Sequence, residues 1–93
     1  MEKLTMFYLE NCPYCRNARR ALDALRAEKP EYEAVCIDMV EESREPAKAE
    51  KYDYYYVPTI FMGGRKLYEA TPGESYEACM AQVRAALDAA LGA

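Results

Sequence analysis

A β-rich apolar run, Leu4 to Leu9, passes within three residues into a helical repeat, and the join carries Cys12-Pro13-Tyr14-Cys15. Apolar residues on both faces of the run predict a strand buried on both sides, at the centre of a sheet. Beyond the join, Ala18, Ala21, Leu22 and Leu25 recur at i, i+3, i+4 and i+7, while Arg16, Arg19, Arg20, Asp23 and Arg26 cover the other side. That is an amphipathic helix with one face on a core. Pro13 suits its first turn, where the missing N–H is no loss. Pro30 restricts the residue before it, so the helix should fade near Glu28-Lys29.

Alternation of Val35 and Ile37 against Ala34 and Cys36 predicts a second strand over Tyr32 to Asp38. With the helix between them, the first two strands form a parallel, right-handed unit. Pro46 opens a short helix running to about Tyr52. Val57 to Met62 reads as a third strand with a proline near its start, where a missing donor is tolerated. Gly63-Gly64 is a two-residue hairpin signal, and Lys66 to Ala70 returns antiparallel. From about Ser75 the pattern is helical again, with Tyr76, Met80, Val83, Leu87 and Leu91 as the buried stripe and Gly92 at its end. The order βαβαββα gives an α/β protein: a four-stranded mixed sheet flanked by three helices, one domain over residues 1–93.

The formal net charge of −4 offers no general attraction to phosphate backbones or anionic membranes. Neither nucleic acid nor membrane is expected as a partner. The N-terminal stretch MEKLTMFYLEN has no apolar run followed by a small-residue cleavage site, so a cytoplasmic location is expected. Four cysteines in that reducing compartment are not expected to form structural disulfides, and a close pair reads as redox or metal chemistry. The chain has no histidine, which removes Cys–His zinc sites and histidine-activated nucleophiles. An all-thiolate zinc site would need Cys36 and Cys79, which sit in strand and helix core patterns and are expected to be buried. No metal is expected.

Thiol–disulfide exchange is the remaining chemistry for the pair. Cys12 falls at the exposed start of the helix, where free N–H groups and the helix dipole favour a thiolate. It is assigned as the attacking nucleophile. Cys15 lies one turn in, on the side of Ala18 and Leu22, and is assigned as the more buried resolving thiol. Arg16, Arg19 and Arg20 add positive charge nearby, or simply form a solvated helix face.

The tetrad CPYC at a strand-to-helix junction resembles the dithiol glutaredoxin active site, and Val57-Pro58-Thr59 is similar to the proline loop of the thioredoxin superfamily. The likeness extends over nearly the whole chain, because βαβαββα is the glutaredoxin and minimal thioredoxin arrangement. It implies a thioredoxin fold, Cys12 and Cys15 as catalytic residues, and Pro58 in the cis form facing them. It further implies a substrate groove made of Pro13, Tyr14, Tyr56, Val57, Pro58, Thr59, Gly73 and Glu74, with the Val57 backbone pairing with an extended thiol substrate. A monomer is expected, with no tightly bound cofactor. Its expected partners are disulfide-containing proteins and either glutathione, as reductant or co-substrate, or a reductase flavoprotein. The run Asp53-Tyr54-Tyr55-Tyr56 should line one wall of the groove, or pack alternate rings beneath the loop.

Three departures bear on the substrate. Glutaredoxins often carry a lysine or arginine three residues before the first cysteine, where this chain has Leu9 followed by Glu10. Their glycine-rich turn before the last helix is here Thr71-Pro72-Gly73-Glu74-Ser75, with a single glycine and a carboxylate. The fourth strand and its connection run longer, closer to thioredoxin, yet Asn11 stands where thioredoxin's tryptophan would be. Two alternatives follow. One is a thioredoxin-like disulfide reductase recycled by a thioredoxin-reductase-type partner; the other is a glutathione-dependent [2Fe–2S] module, against which Pro13 beside Cys12 counts.

Overall fold

The first strand, β1 (Leu4–Tyr8), lies between a parallel neighbour, β2 (Ile37–Glu41), and an antiparallel one, β3 (Thr59–Met62). The fourth strand, β4 (Arg65–Glu69), pairs antiparallel with β3, so the sheet order is β2-β1-β3-β4. This computed structural model describes all residues from Met1 to Ala93. The fold is the four-stranded mixed sheet with helices that the sequence predicts, the thioredoxin fold. Four helical segments accompany it: α1 (Pro13–Glu28), α2 (Pro30–Glu33), α3 (Pro46–Ala49) and α4 (Tyr76–Gly92). No helix is long and apolar enough to cross a membrane.

Side chains alternate across β1, and the two faces are covered differently. Leu4 and Met6 meet Ala18, Ala21, Leu22 and Leu25 of α1 and Val83, Ala86, Leu87 and Ala90 of α4 in one large core. Phe7 points the other way, into a small cluster with Val40 and Phe61 that Tyr52, Tyr54 and Val57 cover. Both long helices begin as their sequences predict. Pro13 occupies the first turn of α1, and the Ser75 hydroxyl accepts the Ala78 N–H at the start of α4.

Several boundaries depart from expectation. The second strand starts at Ile37, because Pro30 opens the extra helical turn α2 instead of a strand entry. Tyr32, expected on that strand, is buried in the large core with its hydroxyl donating to Asp88 of α4 at 2.7 Å. The helix after Pro46 is a single turn that ends at Ala49, and β3 begins at Thr59 after the proline. A bulge in the β3–β4 pairing skips Leu67, so that Ile60 faces Tyr68 and Phe61 faces Lys66. On α4 the deepest residues are Cys79, Val83, Ala86, Leu87 and Ala90, while Tyr76, Met80 and Leu91 are only half-buried. The predicted stripe thus holds at Val83 and Leu87, while Cys79, Ala86 and Ala90 are buried where the sequence predicts Tyr76, Met80 and Leu91. Cys36, expected in the core, is exposed just before β2; Cys79 is fully buried as expected.

Candidate active site

Cys12 caps α1. Its backbone is extended, at φ −103° and ψ 121°, and its Sγ accepts the Cys15 N–H at 3.2 Å. Sulfur here takes the place that a Ser or Asp oxygen holds at most helix starts. The side chain is half-buried, and across the groove the Val57 carbonyl lies 3.7 Å from Sγ. Cys15, one turn in, has no exposure at all; its Sγ accepts the Leu9 N–H at 3.5 Å. Burial, reinforced by the hydrogen bond with Cys12, pushes the Cys15 thiol up to about 12. The two thiols therefore differ sharply: one can be reached, and the other is held protonated in the interior.

The turn between β1 and α1 is anchored by a group that nothing in the sequence singles out. Glu41, at the end of β2, accepts the Glu10 N–H at 3.1 Å and the Ser43 N–H at 2.7 Å. The Ser43 hydroxyl bond, helped by the Glu10 and Ser43 N–H groups, outweighs burial and holds the Glu41 carboxyl below the usual carboxylate range. In sequence Glu41 is one acid in a run of acids, and nothing local distinguishes it. Of the three arginines on α1, Arg19 lies over the Tyr8 ring at 5.3 Å and Arg20 over the Tyr76 ring at 4.9 Å, while Arg16 is exposed.

The Val57–Pro58 peptide is cis, the form that the resemblance implies. Pro58 and Thr59 are fully buried, so neither side chain is open to a ligand. Thr59 instead donates its hydroxyl to the Tyr56 carbonyl at 2.5 Å and braces the loop from beneath. Of the tyrosine run, Tyr54 packs under the loop, stacked on Phe7 at 5.0 Å, with its hydroxyl on Glu42. Tyr55 and Tyr56 are 88% and 54% exposed. With Glu69, Ala70, Thr71 and Pro72 they line an open groove of about 290 Å³.

The turn before α4 closes the other side. Gly73 takes a left-handed φ of +86°, and its N–H donates to the Tyr14 hydroxyl at 2.6 Å. This bond ties the CPYC loop to the turn directly. Glu74 accepts the Thr71 N–H at 2.9 Å and the Tyr68 hydroxyl. Its carboxylate is thus turned into the protein, toward Tyr68 and the buried Cys79, whose Sγ lies 3.4 Å from that hydroxyl. The structure accordingly brings the Val57 carbonyl to Cys12 and Gly73 to Tyr14. It leaves the Thr59 and Glu74 side chains engaged elsewhere.

Known proteins offer two kinds of likeness. The glutaredoxin family model matches residues 4–67. A thioredoxin of Methanocaldococcus jannaschii is 32% identical over 62 residues, covering 67% of this chain and 71% of that protein. Among solved structures, thioredoxin 1 of Thermosipho africanus superposes with a TM-score of 0.59 at 12% identity, over 94% of this chain and 96% of that one. A mutant thioredoxin of Halobacterium salinarum gives a TM-score of 0.56 at 19% identity, over 88% of this chain and 71% of that one. At these identities the structural matches speak for the fold alone.

Proposed function

The chain belongs to the glutaredoxin family of thiol oxidoreductases, and on that premise we propose that it reduces disulfides through a Cys12–Cys15 dithiol cycle. The observation that carries the reading is the unequal pair at the start of α1: a reachable Cys12 Sγ facing the Val57 carbonyl, and a buried Cys15 hydrogen-bonded to it. Cys12, as thiolate, attacks one sulfur of a substrate disulfide. A mixed disulfide forms, and the other substrate sulfur leaves as a thiolate that takes up a proton. Cys15 then gives up its proton and attacks Cys12 Sγ, releasing the second substrate thiol. Two electrons have passed to the substrate, and Cys12 and Cys15 are left joined as a disulfide. Burial keeps Cys15 protonated until that second step, which stops it from competing for the incoming disulfide.

Re-reduction requires either two molecules of a thiol such as glutathione or a reductase flavoprotein. The second source has specific support. The Gly73 N–H, a donor that would suit a ligand carboxylate, already serves Tyr14, and Leu9-Glu10 brings no cation beside Cys12. Protein disulfides in the cytoplasm are the substrate class this reading favours, with the chain acting as a monomer. A coupled assay tests it: turnover of a protein disulfide with thioredoxin reductase and NADPH should exceed turnover with glutathione and glutathione reductase. Faster recycling by glutathione would reverse the choice of reductant, and recycling by neither would remove the reductase function.

A further inference from the structure

Residues 53–57, which lead to the cis peptide, belong to no helix or strand. Yet they carry the Val57 carbonyl that lies 3.7 Å from Cys12 Sγ. One side chain on the neighbouring edge strand holds them. Glu69 of β4 accepts the Tyr55 N–H at 2.7 Å and the Tyr56 N–H at 2.8 Å, both on Oε2. Its other oxygen takes the Lys66 ammonium at 2.7 Å, and Lys66 reaches on to the Asp53 carbonyl at 3.1 Å. Burial opposes the charge, but Lys66 and the two N–H groups outweigh it and hold the Glu69 carboxyl below the usual carboxylate range.

A surface Lys–Glu pair alone contributes little, because solvent screens it. Two backbone N–H groups converging on one carboxylate oxygen are a different matter, being charge-assisted bonds that replace the missing ladder of an irregular segment. They also consume the donors that Tyr55 and Tyr56 would present to solvent, leaving both rings outward and the Val57 carbonyl toward Cys12. We propose that Glu69 is a positioning residue of the disulfide site: it fixes the Tyr55–Val57 backbone against which an extended disulfide substrate lies, without touching the reacting sulfurs. The proposal rests on the oxidoreductase reading above.

Its consequence depends on substrate size. A peptide disulfide lies along the 55–57 backbone, whereas a small alkylating agent meets only Cys12. Steady-state reduction of a peptide disulfide and iodoacetamide alkylation of Cys12 should therefore be compared in the wild type, Glu69→Ala and Glu69→Gln. Glu69→Ala should lose about 10-fold in kcat/KM, carried by KM, which is the equivalent of one hydrogen bond to a charged group. Alkylation of Cys12 should stay within about twofold, since Glu69 does not reach the sulfur. Glu69→Gln keeps one oxygen able to accept both N–H groups and should stay within roughly threefold of wild type. An active wild type with an unchanged KM in Glu69→Ala overturns the proposal and leaves the oxidoreductase reading intact. So does a loss equal in Glu69→Gln and Glu69→Ala, which would mark a general effect of the ion pair. A wild type that reduces no disulfide overturns both.

Discussion

The two faces of the sheet are held together by different physics. Beneath α1 and α4 the large core is mainly aliphatic: Leu4, Met6, Leu25, Val83 and Leu87 are fully buried, with Tyr32 and Tyr68 as its only aromatic members. The other face has only Phe7, Val40 and Phe61 at its centre, and half-buried tyrosine rings serve as its roof. Tyr52 sits 4.7 Å from Phe7 and 4.8 Å from Phe61, and Tyr54 is fixed at its far end by Glu42. Aromatic rings and one helical turn do there what two long helices do opposite. The candidate active site stands where the two regimes meet: Cys12 and Cys15 ride on the helical side, and Val57 rides on the tyrosine side. On the proposed chemistry, the nucleophile starts a helix packed on the large core, and the substrate wall is a segment outside any helix or strand, the softer kind of structure in a fold.

Removing Phe7 should break the comparison hardest, because Tyr52, Tyr54 and Phe61 all lean on that ring. Phe7→Ala should cost about 3–5 kcal/mol in urea unfolding and impair disulfide reduction as the loop loses its floor. Leu87→Ala, on the helical face, should cost roughly 2–4 kcal/mol yet leave the exchange kinetics of the folded protein within about twofold. Equal kinetic damage from both variants would erase the division between the faces. Tyr54→Phe keeps the stacked ring and deletes only the hydroxyl bond to Glu42, so about 1 kcal/mol should be lost. The smallest effect concerns acid. Glu69 and Glu41 are both held below their ordinary value of 4.5, so their stabilising contribution is present above that pH and lost as pH falls through the lower folded values. Protection of the Tyr55 and Tyr56 amides, taken relative to the intrinsic exchange rate at each pH, should fall in that window while α1 and α4 remain protected. Simultaneous loss of protection in the helices would contradict it.

Much of the fold is legible in the sequence because it is local. The repeat from Ala18 to Leu25, Pro13 in the first turn and Gly63-Gly64 in the hairpin each determine their own neighbourhood, and the structure follows them. The second strand starts later than its alternation suggests: Val35 and Ile37 alternate convincingly, but Pro30 opens a helical turn there, and Tyr32 enters the core with its hydroxyl on Asp88, 56 residues away. On α4 the predicted stripe holds at Val83 and Leu87, but Ala86 and Ala90 are buried more deeply than Tyr76, Met80 and Leu91. Cys12 and Cys15 can be found from spacing and helix register. Glu41, Glu69 and the Tyr14–Gly73 bond cannot, since each joins segments that come together only in the fold.

The proposed cycle turns on the unequal roles of the two thiols, and the exposed Cys36 supplies an internal control. Cys15→Ser protein should be mixed with a disulfide substrate at neutral pH and the adduct located by peptide mass spectrometry. Attack by Cys12 followed by resolution by Cys15 predicts a mixed disulfide that accumulates at Cys12, and none at that site in Cys12→Ser. An adduct found at Cys36 instead, or equal trapping by the Cys12→Ser protein, would contradict the account.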